Sequence, residues 1–217
     1  MAPALLAEAV GTFLFFFIGA GAALLATGDP SSVLLVVALA HGTALAVMVS
    51  SLGAVSGGHF NPAVTFGLLV AGKIDAVRCL AYWIAQLIGG AAAGYALAYL
   101  VGDVTPAVPA LAGGVSVASG IVLEAILTAG LLLAVFGTAV DPRGPKIGGL
   151  VIGLAVAAGI LVLGPLTGGA MNPARSIVVA LAAGRFENWY VWWVGPLLGA
   201  AVVGLLYRYV FAEAEAG

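Results

Sequence analysis

Six apolar stretches of about twenty residues constrain this chain more than any other feature; they fall at about 4–26, 33–54, 77–101, 117–139, 147–164 and 188–211. A hydrocarbon core about 30 Å thick is crossed by about 20 apolar residues as a helix, and the helix satisfies its own backbone where no water can. Hydrophobic residues make up 63% of the chain and charged ones 7%, against roughly 45–50% and about 25% in a soluble domain. The expectation is an all-α membrane protein forming one domain over residues 1–217. The first stretch lacks a basic start and runs on into more apolar sequence, so it reads as a retained helix. The tail Ala212 to Gly217 leaves little room for a regulatory domain.

The few charges suggest an orientation. Lys73, Arg78, Arg143, Lys146 and Arg208 fall on one side, whereas Asp29, Asp103 and Glu187 share the other with only Arg185. The positive-inside bias places both termini in the cytoplasm, with the cell membrane as the expected compartment. A net charge of −2 gives no sign of nucleic-acid binding. Cys79 is the only cysteine, which rules out an internal disulfide and a cysteine-rich metal site. No cofactor is expected. Two histidines and one cysteine supply no nucleophile and base pair, so the chain does not read as an enzyme.

The chain also repeats itself. Asn61-Pro62-Ala63 returns as Asn172-Pro173-Ala174, 111 residues on. Glu8 and Thr12 match Glu124 and Thr128, Gly42 matches Gly153, and Trp83 and Gly89 match Trp193 and Gly199. The repeats cover about 1–102 and 117–217, with three spans in each. An odd number of spans inverts the second copy, and in inverted repeats the functional centre lies near the membrane midplane.

After each Asn-Pro-Ala triplet comes a run of about ten apolar residues, Ala63 to Ala71 and Ala174 to Ala183, closed by Gly72 and Gly184. Ten residues of helix span only about 15 Å, half a membrane. Asn caps the free N–H groups of such a helix, Pro suits its first position and Gly its end. Inversion points the two half-helix N-termini at each other. The preceding runs, including Gly57-Gly58-His59 and Gly168-Gly169-Ala170, must then be non-helical at membrane depth, which is tolerated only where protein covers them or water wets them. Their carbonyls are expected to line a water-filled path.

The segments Ser56 to Thr65 and Gly168 to Ser176 closely resemble the two signature loops of the aquaporin, or major intrinsic protein, family. The resemblance covers essentially the whole chain. It implies six membrane-spanning helices plus two half-helices, one pore per subunit, a homotetramer in the lipid bilayer, and passive conduction of water and small neutral solutes. At the junction, the half-positive charge of each helix N-terminus and the amides of Asn61 and Asn172 would hold a water by its oxygen, breaking the chain a hopping proton needs. A cation about 5 Å from Arg175 at an effective dielectric near 20 is disfavoured by about 3 kcal/mol, which is already about a hundredfold.

The family's constriction positions fall on His41, Ile160, Gly169 and Arg175. This set matches neither the water-strict nor the glycerol pattern, and resembles that of plant vacuolar-membrane aquaporins that also pass ammonia. Ser176, Ala180 and Trp192-Trp193 likewise depart from glycerol channels. A neutral His41 is expected to offer a hydrogen bond to ammonia or water, with a core histidine bonded to backbone as the alternative. Glu8 and Glu124, costly inside spans, are expected to accept from backbone N–H groups of the loops and brace them. His59 reads as a loop residue lining the pore, with a pH gate as the alternative. The rival functions are a glycerol or polyol facilitator and, more distantly, a coupled secondary transporter.

Overall fold

The computed structural model describes residues 1–211; the short tail Ala212 to Gly217, and with it the last residues of the second repeat, lies outside the described residues. The chain forms α1 (Ala2–Leu25), α2 (Pro30–Ser56), α3 (Pro62–Val70), α4 (Ala76–Val101), α5 (Val117–Val135), α6 (Gly148–Thr167), α7 (Pro173–Ala183) and α8 (Val191–Leu206). Turns of π-helix, Phe136–Val140 and Tyr207–Phe211, extend α5 and α8. Six of these elements are apolar and 20 to 27 residues long, enough to cross a bilayer, while α3 and α7 have 9 and 11 residues and cross only half of one.

Local chemistry sets most boundaries. Asp29 caps α2 by accepting from the N–H groups of Ser31 and Ser32, Asp75 caps α4 through Arg78 N–H, and Ser116 caps α5 through Ser119 N–H. The fifth span runs three residues past the expected end at 164, through Pro165, and stops at Gly168, whose φ of 81° ends the helix in the left-handed region. The sixth starts at Val191 rather than 188, because Asn188 has a φ of 53° that no right-handed helix admits.

Packing repeats with inversion. Helix α1 packs on α2 and α4 as α5 packs on α6 and α8. Each half-helix is cradled by the other copy, α3 against α8 and α7 against α4. Small residues allow it. A methyl group placed on Gly94 would stand 2.7 Å from the Val178 carbonyl, and one on Gly204 would stand 2.7 Å from the Gly67 carbonyl. Gly42 and Gly153 meet each other's backbone where α2 crosses α6. The half-helices are thereby wedged at the centre of the bundle.

Candidate functional site

Each loop is pinned at its tip by the asparagine that ends it. Asn61 Oδ1 accepts from Ala63 N–H at 2.8 Å, and Asn172 Oδ1 accepts from Ala174 and Arg175 N–H at 3.0 and 3.3 Å. The Nδ2 atoms cross over: Asn61 donates to the Met171 carbonyl at 2.8 Å and Asn172 to the Phe60 carbonyl at 3.0 Å. The two half-helix tips are therefore tied together, with Pro62 and Pro173 at their first positions and Ala63 and Ala174 fully buried behind. An amide carries two N–H bonds, so each asparagine keeps one donor beyond this bridge. Phe60 and Met171 have φ of 47° and 52°, backbone that such side chains adopt only when the surroundings hold it there.

What holds it is a carboxylate behind each loop. Glu8 Oε1 accepts from His59 N–H at 3.0 Å and Ser56 Oγ at 2.7 Å, and its Oε2 accepts from Phe60 N–H and Gln86 Nε2, both at 2.7 Å. Glu124 Oε1 accepts from Ala170 N–H at 3.0 Å and Thr167 Oγ1 at 2.7 Å, and its Oε2 from Met171 N–H at 2.7 Å. Both carboxylates are fully buried. A charge at that depth is tolerable because its lone pairs are occupied by donors. Tyr82 Oη donates to the Ser56 carbonyl at 2.7 Å, and Trp192 Nε1 to that of Thr167 at 2.9 Å, closing the same clamp in each copy.

Two cavities flank this region, one reaching the asparagine pair and the other reaching Arg175. One, of about 410 Å³, is lined by Gly57, Gly58, His59, Asn61, Ala170 and Asn172 and opens between Lys73 and Arg78. The other, of about 560 Å³, is lined by Ile160, Gly168 and Arg175 and opens among Pro30, Ser31 and Pro106. The second residue of the second loop's expected carbonyl set, Gly169, packs on Ile160: a methyl group on it would stand 3.2 Å from Ile160 Cα. His41, Ile160, Gly169 and Arg175 thus come together at the inner end of the second cavity.

Arg175 is nearly buried and held from two sides. Its Nε donates to His41 Nε2 at 3.0 Å and its Nη1 donates to the Gly168 carbonyl at 3.0 Å. His41 Nδ1 lies 2.8 Å from the Val37 carbonyl. Because Arg Nε can only donate, His41 Nε2 must accept, and Nδ1 must then be the nitrogen that donates. Both ring nitrogens are spent on protein partners. That corrects the expectation that His41 itself hydrogen-bonds ammonia or water: it orients Arg175 instead. The outward groups at this point are the remaining Arg175 N–H bonds and the Ile160 side chain.

Several partners escaped the sequence reading. Gln86 Nε2 bridges Glu8 and Thr65 Oγ1, which lies 3.1 Å from His59 Nδ1. Ser56, Thr167, Tyr82 and Trp192 belong to the clamps. The repeat spacing pairs Ser56 with Thr167 and Tyr82 with Trp192, which was the available signal; Gln86 faces Pro196 in the other copy and left none.

The profile of the major intrinsic protein family matches residues 1–207. The aquaporin TIP2-1 of Arabidopsis thaliana is 44% identical over 96% of this chain and 87% of its own length, and the aquaporin TIP4-4 of Zea mays is 48% identical over 96% and 86%. Among solved structures, an aquaglyceroporin from Plasmodium falciparum superposes with a TM-score of 0.84 at 22% identity, covering 98% of both chains. That last likeness speaks for the fold alone. The chain belongs to the major intrinsic protein family, as a multi-pass membrane channel that passes water and small solutes passively and is not an enzyme.

Proposed function

We propose that this channel conducts ammonia beside water, and that its selectivity rests on His41, Ile160, Gly169 and Arg175. The observation that carries this reading is the double tether of Arg175 to His41 and Gly168. A guanidinium drawn aside by two bonds leaves the Ile160 side of the constriction apolar. A solute passing there gives up hydration and regains only part of it from Arg175, which costs ammonia less than a polyol with three hydroxyls. The positive field of Arg175 and the two half-helix tips excludes ammonium, protons and metal cations. The asparagine pair, with Pro62, Ala63, Pro173 and Ala174 setting its position, interrupts the water chain, and the carbonyls of Gly57, Gly58, His59, Gly168, Gly169 and Ala170 guide solute to it.

Stopped-flow on proteoliposomes tests this directly. Osmotic shrinkage with water, alkalinisation under an ammonia gradient and swelling with glycerol are measured in the same vesicles. Water and ammonia flux well above empty liposomes, with glycerol near background, is the expected result; water flux without ammonia flux removes the ammonia half. Fluxes that follow an imposed sodium or proton gradient would instead indicate coupled transport.

Both termini are proposed to lie in the cytoplasm, since Lys73, Arg78, Arg143 and Arg208 share one face. A homotetramer is the assembly proposed, with exposed apolar side chains such as Leu35, Leu39, Leu150 and Leu154 facing lipid or neighbouring subunits. The cell membrane is the compartment expected from sequence; the resemblance of the filter to vacuolar-membrane aquaporins favours an internal membrane, and fractionation decides between them.

A further inference from the structure

The cavity between Lys73, Arg78 and the asparagine pair has the makings of a ligand site as well as of a vestibule. Its volume of about 410 Å³ lies within the range of small-molecule pockets. Two cations, Lys73 and Arg78, stand on its rim, and no Asp or Glu is among the residues lining it. Neither cation forms a salt bridge among the described residues, where the ion pairs are Arg143 with Asp141 and Arg185 with Glu187. The acids nearby are committed elsewhere. Asp75 caps α4 through Arg78 N–H, Glu8 is buried behind the loop under four donors, and Asp141, though near enough to feel Lys73, is gripped by Arg143, whose hydrogen bonds bring its carboxyl pKa down to about 2. At the floor, the N-termini of α3 and α7 add the positive ends of two helix dipoles. Between rim and floor the walls are apolar, with Leu68, Val135 and Val140 among them.

We propose that this mouth binds a small organic anion and that binding plugs the channel: an anionic head between Lys73 and Arg78, and an apolar body against Leu68, Val135 and Val140. Such an anion is drawn in by Lys73 and Arg78 at the mouth and by the two helix N-termini at the floor. It goes no further because the passage past Asn61 and Asn172 strips its hydration and offers too few donors to replace it. The opposite mouth is unsuited. Its one charged residue, Arg175, spends donors on His41 and Gly168, and no second cation lines that cavity. This inference rests on the channel reading, since a plug is detected as lost flux.

The probe is benzenesulfonate, ionised at every working pH and bearing an apolar ring, present on both sides of proteoliposomes while water permeability is followed. The expected result is reversible, saturable inhibition that benzenesulfonamide, its uncharged counterpart, does not produce. In Lys73→Gln/Arg78→Gln the inhibition constant, referred to that protein's own uninhibited permeability, should rise at least tenfold, which is about 1.4 kcal/mol. Lys73→Arg/Arg78→Lys, which keeps both charges, should retain inhibition and also serves if the glutamine variant folds poorly. Sulfate should inhibit more weakly, since it lacks an apolar body. No inhibition by benzenesulfonate, inhibition equally strong with the sulfonamide, or inhibition unchanged in the glutamine variant each overturns the proposal. Absent water flux without any probe would count against the channel itself, and is read separately.

Discussion

The two loops that meet at the centre share one skeleton and differ in what they show to the passage. Behind each lies a buried glutamate that accepts from two consecutive backbone N–H groups and one hydroxyl, His59, Phe60 and Ser56 for Glu8, Ala170, Met171 and Thr167 for Glu124. At the repeat spacing, Val64 stands where the second copy has Arg175, Ile152 where the first has His41, and Ala170 where the first has His59. Arg175 and His41 are therefore a hydrogen-bonded polar pair in one copy, the pair proposed as part of the filter, while their counterparts Val64 and Ile152 are apolar and line the other cavity. Bracing demands symmetry, because both half-helices need the same support. Selection needs only one filter, so the remaining positions were free to diverge.

The largest effect should come from the skeleton. Glu8→Ala or Glu124→Ala leaves two buried backbone N–H groups without acceptors, at about 1–3 kcal/mol each, beyond the loss of the other bonds. Both variants should lose most folded protein, read as yield of monodisperse channel and thermal midpoint in detergent. A tolerated Glu124→Ala beside a collapsed Glu8→Ala would break the claim of equal bracing. Next comes the filter. Arg175→Val, which copies the first loop, should raise cation leak by up to about a hundredfold, with a pH-sensitive dye in the vesicles as the readout. Water permeability should change far less, and unchanged leak would mean the half-helix tips exclude cations alone.

A smaller change is expected for His41→Ile, which copies Ile152. Freed from His41, the Arg175 side chain can move toward the passage, and the ratio of ammonia to water permeability should fall severalfold in paired stopped-flow traces; an unchanged ratio would show that the tether is not what sets solute range. The smallest effect contrasts two tryptophans. Trp83 Nε1 donates to the Pro62 carbonyl at 2.9 Å, whereas Trp193 Nε1 is buried without a partner among the described residues. Trp83→Phe should cost about 1 kcal/mol of stability and Trp193→Phe almost nothing, since no hydrogen bond is lost there. Equal shifts in thermal midpoint would contradict the difference in bonding.

The spans, the half-helices and their duplication were readable in the residues, because hydrophobic length, Asn-Pro starts and glycine stops act locally along the chain. Inversion followed from counting spans. Boundaries moved where a single backbone conformation decided them, at Asn188 and Gly168. What the tertiary structure alone decided was the bonding across distant segments: Gln86 reaching Glu8, each asparagine reaching the opposite loop, and His41 turning both nitrogens away from solute toward Val37 and Arg175. A residue type states which bonds a side chain can make. Only packing brings one partner within 3 Å and leaves another out of reach, so the role of His41 became legible only once α2, α6 and α7 were folded together.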